Sequence, residues 1–119
     1  MTDNAMTDNQ VSFSKVGNAD LVQLAGEIDL VSAPAIGREI IAHMTESGAV
    51  LIDLTKVSFL DSAGVRLLDT LVGDLDDHGT AIRLVVGEGG PARMTLQLCA
   101  FRDDLLATDL ERAAEELGG

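Results

Sequence analysis

Val50-Leu51-Ile52-Asp53-Leu54 is a short, almost unbroken apolar run, in part β-branched. Such a run suits a strand covered on both faces. The covering material lies on either side of it in the sequence. Ile36, Ile40, Ile41 and Met44 mark one face of a helix, and Val65, Leu68, Val72 and Leu75 repeat at helical spacing, with Leu71 widening the stripe.

The rest of the chain fills in around this strand. Val11 to Val16 alternates weakly, Gly17-Asn18 is a turn signal, and Leu21 to Ala25 follows, so the chain opens with an antiparallel hairpin. Gly26-Glu27-Ile28-Asp29 then begins a loop. Ser32 can cap the first helix, with Pro34 in its first turn and Gly48 ending it in a left-handed conformation. After Thr55-Lys56, the run Val57 to Leu60 leads into Asp61-Ser62-Ala63-Gly64, and a second helix begins near Val65 and ends at His78-Gly79. Ala81 to Val86 is another strand. Pro91 starts a third helix carrying Met94 and Leu98, and Leu105-Leu106 reads as a short edge strand. Thr108-Asp109-Leu110-Glu111 has capping-box spacing, with Leu110, Ala113, Ala114 and Leu117 facing inward beyond it.

This order predicts an α/β fold: a mixed sheet of four to five strands opening with a hairpin, with about four helices packed on it. Residues 1–9, in which Met1-Thr2-Asp3-Asn4 recurs as Met6-Thr7-Asp8-Asn9, read as a flexible tail. Residues 10–117 form a single domain, and 118–119 fray. In such sheets sites gather at the carboxyl ends of strands, which is where the Asp29 and Ser62 loops fall.

Composition excludes several functions. The formal net charge is -12, so nucleic acid and anionic membranes are disfavoured; the acidity either attracts a basic protein surface or merely keeps the domain soluble. Only Phe13, Phe59 and Phe101 are aromatic, which leaves little for stacking on bases. The lone Cys99 excludes an intrachain disulfide, and its apolar setting from Met94 to Phe101 reads as a buried, inert thiol. No run approaches the ~18 apolar residues of a membrane span. The polar, acidic start carries no signal segment, and the expectation is a soluble cytoplasmic protein.

Catalytic signatures are absent. His43 and His78 read as surface histidines, and no nucleophile–base arrangement can be read from spacing. Gly87-Glu88-Gly89-Gly90 lacks the lysine of a phosphate cradle, and no His/Cys cluster suits a metal. Asp29, Asp53 and Asp61 could in principle hold Mg²⁺ as in response-regulator receivers, but no lysine follows Lys56. The expectation is a non-enzyme with neither cofactor nor metal. Arg66 pairs most simply with Asp69 at i+3; its other use is to meet an acidic group on a partner. Ser62, at the mouth of the second helix, can cap it or accept a phosphate.

Gly26-Glu27-Ile28-Asp29, a Ser-Ala-Pro helix start, Val50 to Leu54, and Phe59-Leu60-Asp61-Ser62-Ala63-Gly64-Val65 together resemble the STAS domain, and more narrowly the bacterial anti-sigma factor antagonists. The resemblance spans roughly Val11 to Leu117. It implies that Ser62 is phosphorylated by an anti-sigma factor that is itself a kinase of the histidine-kinase-like ATPase class. The unphosphorylated form would bind that factor and free a sigma factor in a stress response; a serine phosphatase would reset the modified form. By position, Asp29, Asp61, Ser62, Ala63, Gly64 and Arg66 are the implied partner contacts. Two departures stand out. Ala63 replaces a common Ser or Thr, leaving Ser62 as the only hydroxyl in the motif, and Arg66 puts a bulky cation where a small residue is common. The alternative is an unmodified STAS scaffold in a larger complex or beside a transporter.

The physics of the implied switch is simple. A neutral hydroxyl is buried under a partner at small cost, whereas a phosphate brings about -1.5 to -2 charge. Free N–H groups at the helix start are expected to hold the phosphate within the domain, while Asp61 repels it. Burying it unpaired costs several kcal/mol, enough to abolish tight binding without refolding.

Overall fold

Gly17, at φ 60, turns β1 (Val11–Val16) back on β2 (Ala19–Ile28) through a two-residue connection, with Val16 facing Ala19 in an antiparallel register. The structure, a computed structural model, describes residues 10–44, 48–87, 90–98 and 106–118. The expected tail (1–9), Cys99, Phe101 and Leu105 lie outside the described residues, as do the side chains of Met44, Leu98, Glu111 and Leu117.

β2 is longer than its apolar pattern suggests. It continues through Gly26 and Glu27 to Ile28, so the loop expected at Gly26 begins only at Asp29. Gly26 adopts φ 77, and the pairing with the next strand shifts register between Gly26 and Glu27. The glycine makes a bulge that keeps the strand in the sheet, a use of positive φ that a sequence pattern does not separate from a loop.

The chain then alternates: α1 (Ala33–Met44), β3 (Ala49–Leu60), α2 (Ser62–Asp77), β4 (Ala81–Val85), α3 (Pro91–Leu98), β5 (Leu106–Ala107) and α4 (Leu110–Gly118). β3 joins Val50 to Leu54 and Val57 to Leu60 into one strand of 12 residues, with Thr55 and Lys56 exposed between them. The five strands are ordered β1-β2-β3-β4-β5, and every pair after the hairpin is parallel. The expected architecture is the observed one.

Both faces of β3 are covered. Val50 and Ile52 join Ile36 and Ile40 of α1, Leu68, Leu71 and Leu75 of α2, and Ala92 and Leu96 of α3. Leu51, on the opposite face, packs with Leu21, Val85 and the α4 residues Ala113 and Ala114. The period-2 alternation of a strand makes this division, since neighbouring side chains point to opposite faces. Met94, expected to mark α3, is 57% exposed, and among the described side chains of this helix Ala92 and Leu96 are buried.

Asp53 is buried within β3, about 23 Å before the strand's carboxyl end at ~3.3 Å per residue. Its Oδ1 accepts from the Thr55 amide at 2.9 Å and the Thr55 hydroxyl at 2.7 Å, and its Oδ2 accepts from Gln23 Nε2 at 3.1 Å. It therefore serves the β2–β3 pairing and stands apart from Asp29 and Asp61.

Two helix ends differ from expectation. Gly48 is not left-handed; its carbonyl accepts the Ala81 amide at 3.1 Å as β3 begins. At α4 the cap is Asp109, whose Oδ1 accepts the Arg112 amide at 3.1 Å, instead of Thr108. The end of α2 is as expected. Gly79 has φ 77, its amide reaches the Asp76 carbonyl at 3.0 Å, and the Thr80 amide reaches Leu75 at 2.9 Å, which is a Schellman closure.

Candidate functional site

β2 and β3 end side by side, with Ile28 opposite Leu60. The Asp61 amide donates to the Ile28 carbonyl at 3.3 Å, tying the two following turns together. The Asp29 and Ser62 segments thus meet at one end of the sheet.

Asp61, not Ser62, caps α2. Its backbone is extended (φ -100, ψ -173), its Oδ1 accepts the Gly64 amide at 3.0 Å, and its carbonyl accepts the Val65 amide at 3.0 Å. The helix accordingly begins at Ser62, three residues earlier than the apolar stripe indicates. A carboxylate makes a charge-assisted bond and also meets the positive end of the helix dipole, so it outcompetes a neighbouring hydroxyl for this role. Ser62 is left exposed at the first helical position, and no described residue hydrogen-bonds its hydroxyl.

Gly64 lies underneath. It is buried in ordinary helical geometry, and a Cβ there would collide with Leu60 Cδ1, approach the Ile28 carbonyl oxygen at 2.9 Å and Ile28 Cγ2 at 3.2 Å. Its missing side chain lets the first turn of α2 press onto the end of β2. It shapes the site from beneath, while Ala63 is half-buried and Arg66 exposed. The Arg66–Asp69 ion pair does not form; among the described residues the ion pair is Lys15–Asp20, at 2.9 Å.

Asp29 organises the second turn. Its Oδ1 accepts the Val31 amide at 3.1 Å and the Ser32 amide at 3.0 Å, while the Ser32 hydroxyl accepts the Asp29 amide at 3.1 Å. This is a reciprocal cap placed three residues before the one expected at Ser32. The Ala33 amide already bonds the Asp29 carbonyl at 2.9 Å, but Pro34 has no N–H to continue the ladder, so regular helix starts only at Ala33. The Ser32 amide, chiefly, holds the Asp29 carboxyl below its ordinary value; desolvation opposes this, and the Ser32 hydroxyl and Val31 amide reinforce it.

Sequence reasoning missed the apolar part of this surface. Leu30 and Val31 project from the Asp29 turn with 74% and 87% exposure. Leu30 also opens a groove of about 600 Å³ between α1 and α2, walled by Pro34, Gly37 and Ile41 on one side and Ala63 and Leu67 on the other. Arg38 and Arg66 stand in its walls, one from each helix. The available signal was two consecutive apolar residues outside the α1 stripe, inside a turn fixed by aspartate.

The sequence matches the STAS domain family over residues 11–115. This chain is a STAS domain. None of the curated proteins matches it. Among solved structures, an anti-sigma factor antagonist from Mycobacterium paratuberculosis is similar at 27% identity, with 92% of this chain and 93% of that one covered and a TM-score of 0.79. The anti-sigma factor antagonist SpoIIAA in its unphosphorylated form shares the fold at 18% identity, with 89% and 94% covered and a TM-score of 0.72. The S58E form of RsbS from Moorella thermoacetica shares it at 20% identity, with 91% and 94% covered and a TM-score of 0.73. Among the described residues of this STAS domain no helix is long and apolar enough to cross a membrane, and no group of three His, Cys, Asp or Glu is placed to hold a metal ion.

Proposed function

We propose that this STAS domain is an anti-sigma factor antagonist switched by phosphorylation of Ser62. The observation that carries the reading is the exposed Ser62 hydroxyl, released from capping duty by Asp61. A kinase active site needs such a hydroxyl, and modifying it costs the helix no cap. The likeness to the Mycobacterium antagonist over nearly the whole of both chains supports the partner class.

In this reading the unmodified domain docks its partner over the Asp29 and Asp61 turns, with Leu30 and Val31 supplying the apolar contact and Ser62, Ala63 and Arg66 completing it. The partner is an anti-sigma factor kinase of the histidine-kinase-like ATPase class, and a serine phosphatase restores the unmodified form. The net charge of -12 favours a basic partner surface. A phosphate on Ser62 would have to be stripped of water beside the Asp61 carboxylate, at a cost of several kcal/mol, enough for a loss of about a thousandfold in affinity.

The test is incubation with candidate anti-sigma kinases and ATP, followed by intact-mass measurement. Phosphate should appear on the wild type and not on Ser62→Ala, and Ser62→Ala should bind the kinase constitutively. No phosphate from any kinase encoded beside this gene would instead favour an unmodified STAS scaffold.

A further inference from the structure

We propose that Arg66 is the internal receptor for a phosphate on Ser62. The inference rests on the reading of Ser62 as a modified residue and specifies what the modified site looks like. The start of a helix ordinarily offers a phosphate its free amides. Here that position is partly held: Asp61 Oδ1 takes the Gly64 amide at 3.0 Å and the Asp61 carbonyl takes the Val65 amide at 3.0 Å, which leaves the Ser62 and Ala63 amides of the first turn. A phosphate arriving at Ser62 also meets the resident Asp61 carboxylate, whose repulsion a nearby cation would offset.

Arg66 is that cation. Ser62 and Arg66 are i and i+4 on α2, neighbours on one helical face. Helical side chains lean toward the N-terminus, so the turn that begins with Ser62 is within reach of the Arg66 guanidinium. Both residues are exposed, and no ion pair to a described residue holds Arg66 in place. A guanidinium presents paired donors that match two phosphate oxygens.

Capture has a second effect. In the unmodified domain Arg66 stands in the wall of the α1–α2 groove beside Ala63 and Leu67. Pairing with the phosphate withdraws this cation from the docking face. Phosphorylation would therefore add an anion and remove a cation in one step. A glutamate at position 62 has one charge and a shorter reach, and so reproduces only part of the change.

The experiment uses full-length protein with phosphoserine encoded at position 62, which makes it independent of any kinase. The phosphate is titrated by 31P NMR in wild type, Arg66→Gln and Arg66→Lys at low salt. An arginine contact favours the dianion, so the wild-type midpoint should lie about half a pH unit below that of Arg66→Gln, the scale of an exposed ion pair. Arg66→Lys should fall between them, and the gap should close near 1 M salt, where the Debye length is about 3 Å. The charges of Asp29, Asp61 and Asp69, and of Arg38 across the groove, are common to all three proteins. Equal midpoints in wild type and Arg66→Gln at low salt would overturn the pairing. Failure of every kinase to modify Ser62 would instead sink the antagonist reading, with the pairing decided separately by the titration.

Discussion

A carboxylate takes each N-terminal cap for which the sequence also offers a hydroxyl. Asp29, Asp61 and Asp109 displace Ser32, Ser62 and Thr108 by three, one and one positions. Capping preferences rank serine and aspartate nearly equal, so residue type alone does not choose; the charge and the backbone geometry of the turn do. Asp61→Ala should therefore cost about 1 kcal/mol in urea unfolding, whereas Ser62→Ala should stay within about 0.5 kcal/mol of wild type. Equal losses would restore the cap to Ser62. Asp29 adds a pH dependence. Its carboxyl lies below the ordinary 3.8, so its contribution is complete above that value and is lost as the pH falls through the lower folded value. NMR titration should place its midpoint below 3.8, and Asp29→Asn should remove this component of acid sensitivity.

At the level of elements, strands were recognisable and their lengths were not. Thr55-Lys56 and Gly26 read as breaks because polar and glycine residues usually end a strand. In β3 and β2 they sit inside one, since bulged pairing keeps both strands in the sheet up to Ile28 and Leu60. That extension brings the two site turns together. The packing of α2 on this end depends on Gly64. By helix propensity alone, Gly64→Ala would gain up to about 1 kcal/mol. The clash with Leu60 and the Ile28 carbonyl reverses the sign, and a net loss of about 1–3 kcal/mol is expected in chemical denaturation. A neutral or stabilised Gly64→Ala would show that the contact relaxes freely.

On the scale of the whole molecule, the feature to explain is apolar surface left uncovered where the site lies. Leu30 and Val31 add nothing to the core, so Leu30→Ser with Val31→Ser should leave unfolding stability within about 0.5 kcal/mol of wild type. The same pair should weaken calorimetric binding to the anti-sigma factor by tenfold or more, as expected for an apolar anchor at an interface. Unchanged affinity would remove these residues from the docking surface.

Legible in the chain alone were the layered α/β architecture, the hairpin opening, the placement of the Asp29 and Ser62 turns at carboxyl ends of strands, and the family. Those follow from periodicity and turn chemistry, which act over a few residues and leave a pattern in the chain. Contacts in three dimensions set which side chain caps each helix, why Gly64 must lack a side chain, that Arg66 has no ion pair with Asp69, and that Leu30 and Val31 face outward from the Asp29 turn. Each of these depends on distances between segments far apart in the chain, or on competition between neighbours of similar propensity, and neither leaves a local trace.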